Sequence, residues 1–306
     1  MATKDHTMTI LITGATGRTA SHLAKRLLES GARVRALVRN SAKAKTVFAD
    51  VLPDAADRLE IVDGDFGDVQ LLQRAFDGVG SVFLALGTST QQIAFEKALI
   101  DAAAHARVGQ VVRLSVLGAS QQGGYEVARR HCELDDYLAA SGVAHTLLRP
   151  AYFMSNLLFA AASIASAGRW YGLVPSARIA MIDTRDVADA AHAVLGDSAR
   201  QNASYDLTGP ASLTFAEVAG RFSALLGRPI QYVPIDEAAM RQGYAKRGVP
   251  DWLADIALGI EHAMQAGRHA ALTPALERLI GRPARSIDDF IRDHQSAFSA
   301  SAAPSA

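Results

Sequence analysis

Residues 9–39 constrain this chain more than any other stretch. Residues 10–12 form an apolar, β-rich run that reads as a buried strand, and the sequence then turns at Gly14-Ala15-Thr16-Gly17-Arg18-Thr19-Ala20. Leu23, Ala24, Leu27 and Leu28 follow at helical spacing, Gly31 ends that helix, and Val34, Ala36 and Val38 alternate as a second strand. The unit is β-α-β. The first glycine permits a tight turn off the strand, and the second lets helix-start N–H groups approach a pyrophosphate. Ala20 allows close packing of helix on strand. Gly14, Thr16, Gly17, Arg18 and Thr19 are the expected contacts to that pyrophosphate.

At the end of the second strand, where an acidic side chain would accept from the ribose 2′-OH of NAD, stands Arg39. A planar guanidinium suits a 2′-phosphate instead, so NADP(H) is expected in preference to NAD(H). Arg18 and Lys43 add positive charge nearby. A third strand at residues 59–62 ends in Gly64-Asp65-Phe66-Gly67-Asp68. Asp65 and Phe66 are candidates for the adenine edge and face, while Asp68 reads as a helix N-cap.

The alternation continues. A helix over residues 41–51, broken at Pro53, precedes the third strand. Strands are expected at 82–86, 110–115 and 143–149, with a long helix over 91–106 and another before Gly142, and a late strand at 203–207. This predicts an α/β fold, a Rossmann-type doubly wound parallel sheet, with a smaller, mostly helical C-terminal substrate lobe. The nucleotide-binding domain is expected to span 8–151 plus a returning segment, about 176–208. The lobe takes 152–175 and 209–299, with a disordered tail at 300–306. Leu86 ends one of these strands and is followed by Gly87 and Thr88, and Ser115 and Pro150 stand at the ends of two others. Tyr152, Phe153 and Asn156 follow the sixth strand in an apolar stretch, residues 151–167, and are expected to wall a pocket.

With 306 residues and equal numbers of acidic and basic side chains, the chain carries no electrostatic case for nucleic acid or an anionic membrane. A single cysteine, Cys132, excludes an internal disulfide framework and fits a reducing cytoplasm. No secretory signal or membrane-spanning run is evident. The scattered histidines give no metal motif, and the glycine turn lacks the Gly-Lys-Ser/Thr of a P-loop. The oligomeric state, monomer or homodimer, stays open.

The segments ITGATGR, ALVRN, GDFGD, LAASGVAHTLLRPAYFMSNL, DTRDVADAA and SYDLTGP together resemble the NmrA-like group of atypical short-chain dehydrogenases/reductases, over residues 9 to about 294. Within that group the chain is most similar to bacterial triphenylmethane-dye and quinone reductases, and is comparable with flavin-free azoreductases. The resemblance implies NADPH on a Rossmann domain, with Gly14, Gly17, Arg18 and Arg39 at its phosphates. It also implies that residues around Leu86, Ser115, Pro150, Tyr152 and Phe153 flank the nicotinamide. The group also contains non-catalytic NADP(H)-sensing regulators, so the fold alone does not settle catalysis.

The Tyr-x-x-x-Lys pair of short-chain dehydrogenases is replaced by Tyr125-Glu-Val-Ala-Arg129, and arginine cannot shuttle a proton. By position relative to Gly142, His131 matches a catalytic lysine of some plant reductases of the wider group. His131 and Tyr152 are the candidate catalytic residues; the alternative for His131 is a surface residue paired with Asp135 at i+4. A weak proton-donor signature favours acceptors that delocalise or cancel the charge of a hydride. Quinones, azo compounds and arylmethane dyes do so.

Overall fold

The computed structural model describes residues 8–299; the expected tail at 300–306 lies outside the described residues. The chain begins β1 (Thr9–Thr13), α1 (Arg18–Glu29), β2 (Val34–Val38), α2 (Ser41–Val47), α3 (Leu52–Ala55) and β3 (Leu59–Asp63). Then come α4 (Val69–Phe76), β4 (Val79–Leu84), α5 (Gln92–His105), β5 (Gln110–Leu114), α6 (Glu126–Ala140) and β6 (His145–Pro150). A 3₁₀ stretch, Met154–Ala160, leads into α7 (Ala161–Ala167), β7 (Arg169–Gly172), α8 (Thr184–Val194) and β8 (Ala203–Leu207). The C-terminal part holds α9 (Phe215–Leu226), β9 (Gln231–Pro234), α10 (Glu237–Lys246), α11 (Asp251–Gln265), α12 (Ala275–Ile280), α13 (Ile287–Asp293) and α14 (Gln295–Phe298).

Seven strands pair in the order β3-β2-β1-β4-β5-β6-β8, every pair parallel. Side chains alternate across it: Ile12 enters the core under α1 and α8, and Leu11 enters the one under α4, α5 and α6. With both faces covered, the strands can be apolar throughout, which is why they read as short continuous runs. The strand order reverses direction between β1 and β4. Such a switch point opens a crevice at the carboxyl ends of the strands. A third core, with Trp170, Phe215, Phe222, Phe290 and Phe298, belongs to the C-terminal segments and the β7–β9 pair.

Several expected boundaries moved, each for a local reason. The helix expected over 41–51 stops at Val47, and Pro53 sits in the first turn of α3, where a missing N–H costs nothing. The fourth strand begins at Val79 and ends at Leu84 because the Ala85 N–H donates to the Thr13 hydroxyl (2.9 Å) and leaves the ladder. Tyr152 lies in a bend and Phe153 is extended, bridging to Ile182; only from Met154 does the chain coil. The expected helix over 286–298 is two, separated at His294. Strand β7, four residues long, and helix α12 are additions that the sequence pattern does not mark.

Candidate functional site

The site grows from the turn between β1 and α1. Gly14 has φ +58°, and a Cβ there would run into the carbonyl oxygen of Ala85. Only glycine meets both demands. The turn closes with the Gly17 N–H donating to the Gly14 carbonyl (2.8 Å), and α1 begins at once. Gly17 caps this helix without a side-chain acceptor, and its first turn holds no acidic residue. The first N–H groups of a twelve-residue helix therefore face outward unsatisfied, with the positive end of its dipole behind them.

Two arginines flank that helix start. Arg18 and Arg39 are both exposed, and among the described residues neither pairs with a carboxylate. Each rests on an aromatic ring: the Arg18 guanidinium lies 5.7 Å from the centre of Phe159, and that of Arg39 lies 5.9 Å from Phe66. The first contact brings the segment after β6 across to the glycine turn. Unsatisfied N–H groups, close backbone approach at Gly14 and two unpaired guanidinium groups fit a dinucleotide carrying a third phosphate.

Around this centre, Thr16 is half-buried and Thr19 is buried in α1. Asp65 is exposed, and its carboxylate accepts from the Gly67 N–H (2.9 Å). Phe66 is buried edge-on against Phe95, so its ring serves the core and supports Arg39; the available face is that of the guanidinium. Asp68 is the N-cap of α4, accepting from the N–H groups of Gln70 and Leu71. Leu86 is half-buried, while Gly87 and Thr88 are exposed beyond β4. Pro150 ends β6 with its carbonyl accepting from the Leu117 N–H (2.9 Å).

Beneath the carboxyl ends of β5 and β6 lies a closed network of charges. Arg113, fully buried, donates to Glu96 (2.9 Å) and Asp135 (2.5 Å). Asp135 also accepts from the Ser115 hydroxyl (2.8 Å) and from Arg149 (3.1 Å). Two arginines and two carboxylates balance, and Gln92 donates to the remaining oxygen of Glu96 (2.9 Å). Because the Ser115 proton is committed to Asp135, the hydroxyl has only lone pairs to offer upward. It is suited to accept, for example from a carboxamide N–H.

This network corrects the surface alternative for His131. The imidazole is buried, and its Nδ1 lies 3.2 Å from Nη2 of Arg113; Asp135 turns to the arginines instead. A guanidinium has no lone pair to accept with, so Nδ1 is the unprotonated acceptor. Burial and the charge of Arg113 push His131 well below its ordinary range, which keeps it neutral and unsuited to act as an acid. The signal was available in the sequence: Arg113 stands in the apolar strand QVVRL, where a charge demands buried partners.

The Tyr125–Arg129 pair does not assemble. Tyr125 is buried with its hydroxyl directed at the Leu117 carbonyl (3.4 Å), burial pushes the phenol up, and Arg129 is exposed. Burial also raises Tyr152, with the charge of Glu261 adding to the rise and Asn156 opposing it. Tyr152 packs edge-on against Phe215, which meets Tyr232 and Trp170 (5.1 and 6.2 Å between ring centres). Cys132 is held protonated by partial burial and Asp136. Among the described residues, no group of three or more His, Cys, Asp or Glu is arranged for a metal ion.

Comparison with known proteins gives consistent results. The NmrA-like family model matches residues 6–286. An NAD(P)H azoreductase of Xenophilus azovorans is 33% identical over 291 residues, covering 95% of this chain and 99% of that protein. The NADPH-dependent quinone oxidoreductase of Escherichia coli, solved in complex with NADPH, superposes with a TM-score of 0.83 at 27% identity, covering 93% of this chain and 99% of the other. The triphenylmethane reductase of a Citrobacter species shares the fold, with a TM-score of 0.79 at 23% identity over 93% of this chain and 99% of its own.

Proposed function

The chain belongs to the NmrA-like family, and from that premise we propose that it is an NADPH-dependent reductase of conjugated electrophiles: quinones, azo compounds or arylmethane dyes. The observation that carries the reading is the unsatisfied N-terminus of α1 flanked by two guanidinium groups without carboxylate partners. The free N–H groups at the start of α1, those of Arg18 and Thr19, would hold the diphosphate, with the Gly14–Gly17 turn bringing the backbone close to it. Arg39 leaves the face of Phe66 for the 2′-phosphate, and charge-assisted bonds favour that exchange over a cation–π contact. Asp65 borders the adenine, with Leu86, Gly87 and Thr88 along the ribose side. When bound, NADPH supplies a hydride from its nicotinamide ring. Ser115, its proton fixed on Asp135, accepts from the carboxamide, and Pro150, Tyr152 and Phe153 close off one side of that ring. The sheet with its returning strand β8 carries the dinucleotide, and the lobe beyond it carries the acceptor.

Tyr152, Phe153 and Asn156 stack and orient the acceptor while apolar neighbours exclude water. The acceptors named in the relatives, azo compounds, quinones and triphenylmethanes, share extended conjugation that spreads or cancels the charge a hydride brings. No described helix is long and apolar enough to cross a membrane, and the single cysteine supports a cytoplasmic reading. Stopped-flow loss of NADPH absorbance against a panel of the three acceptor classes tests the reading. Turnover of at least one class is expected; tight NADPH binding with no turnover would instead make the chain an NADP(H)-sensing regulator.

A further inference from the structure

Helix α11 packs on α6 and α10 and has two working faces. One packs Ile256 and Ala263 against Tyr125 and Val127 at the start of α6, and the other presents Leu258 and Glu261 to Leu173 and its neighbours. The Glu261 carboxyl is largely buried there. Its Oε2 accepts from the Leu173 N–H (2.5 Å), and a Cβ on Gly172 would touch both that oxygen, at 3.1 Å, and the Tyr232 hydroxyl, at 2.7 Å. Its Oε1 has no hydrogen-bond partner among the described residues, and it is not sealed within the protein.

No arginine or lysine pairs with this carboxyl among the described residues. The ionisable groups that face it are the phenols of Tyr152 from the β6 exit, Tyr232 from β9 and Tyr244 from α10, with the neighbouring His262 turned to Glu237 (3.3 Å). Most buried carboxylates in this chain differ: Glu96, Asp135, Asp183, Asp186 and Asp189 are each held by arginine. A carboxyl without a cation, beside the aromatic cluster that begins at Tyr152, is suited to hold and release a proton.

We propose that Glu261 is the catalytic acid for acceptors that become anionic when reduced. The proposal rests on the reductase reading above. Hydride transfer to a quinone leaves NADP⁺ and a hydroquinone monoanion. The O–H bond of Glu261 then breaks, its proton bonds to the anionic oxygen, and the carboxylate regains a proton from water. An azo compound follows the same course, with the proton going to nitrogen. A triarylmethane cation differs, because hydride alone converts it into a neutral product and no proton is needed. Burial lifts Glu261 above the usual carboxyl range and so keeps it loaded at higher pH, opposed by the Leu173 N–H and the charge of His262.

The test compares Glu261→Gln with the wild type in single turnovers of the NADPH complex, one acceptor a quinone and the other a cationic arylmethane dye. The amide that replaces the carboxyl still accepts from the Leu173 N–H but has no acidic proton to give. Quinone reduction is expected to slow by roughly 100-fold or more, with the dye rate and the calorimetric NADPH affinity unchanged. Glu261→Asp, which keeps an acid on a shorter arm, should recover part of the quinone rate. Infrared spectra of the cofactor-free protein should contain a protonated carboxyl band that titrates above the usual carboxyl range and vanishes in Glu261→Gln. Equal slowing of both acceptors, or no such band, would overturn the proposal. Absence of turnover with every acceptor in the wild type would instead remove the reductase reading, leaving the infrared result to report on Glu261.

Discussion

The ground beneath the cleft differs between the two halves of the molecule. On the sheet side, Arg113, Glu96, Asp135 and Ser115 are buried as a closed set of charges and hydrogen bonds. On the lobe side the same depth is filled by Trp170, Phe215, Phe222 and Tyr232, ring against ring, with Glu261 as the buried acid nearby. A network of ion pairs tolerates one geometry, since displacing any member strands a charge. Ring packing is less directional and admits ligands of different outline. The contrast suits the proposed division of ligands, an invariant cofactor on the first half and varied planar acceptors on the second.

The largest way to break the contrast is Asp135→Ala, which leaves Arg113 and Arg149 short of their shared carboxylate. It should cost about 3–5 kcal/mol in chemical denaturation. A loss below about 1 kcal/mol would mean that the network is not the rigid element described here.

The seam between the halves is tested by pH. His269 is buried beside Tyr125, both ring nitrogens lack partners among the described residues, and its carbonyl accepts from the Ala180 N–H (2.8 Å). Burial pushes this imidazole down to about 4. In the unfolded chain it protonates near its ordinary value of about 6.5. The unfolded chain thus binds the extra proton between those values, so the contribution is complete above about pH 6.5 and declines as pH falls toward 4. The decline is on the order of 3 kcal/mol. His131 acts in the same direction. The difference between wild type and His269→Phe isolates the seam, and the variant should have the flatter profile. Identical slopes would contradict the burial argument.

The smallest change sharpens the contrast on the lobe side. Phe215→Leu keeps an apolar group between Tyr152 and Tyr232 and should cost about 1 kcal/mol of stability. It should raise KM for the acceptor several-fold while leaving NADPH affinity in place. A loss of NADPH affinity equal to the acceptor effect would dissolve the division between the halves.

How much of this was legible in the sequence follows the same line. The turn of Gly14 and Gly17 and the place of Arg39 beyond β2 were readable because a β-α-β unit is made by neighbours in sequence, at spacings set by backbone geometry. The parallel sheet was readable because its strands are short apolar runs between helices. Glu261 was not readable: its hydrogen-bond partner Leu173 is 88 residues away in sequence, and nothing in its own helix marks it. Phe66 reads as a candidate for the adenine face because sequence position gives a strand end, but not the direction of a side chain, which the structure packs against Phe95. His131 was misread because its i+4 partner Asp135 lies on the face of α6 that Arg113 claims from β5. Pro53 was taken as a break when it opens α3.

The central claim is that the start of α1, with Arg39 beside it, grips a phosphorylated dinucleotide. Isothermal titration of the wild type and Arg39→Glu with NADPH and with NADH tests it most directly. The account predicts that the wild type binds NADPH more tightly than NADH, and that the variant loses roughly 10- to 100-fold in NADPH affinity with a much smaller change for NADH. Equal losses for both coenzymes, or no heat with either on the wild type, would contradict it.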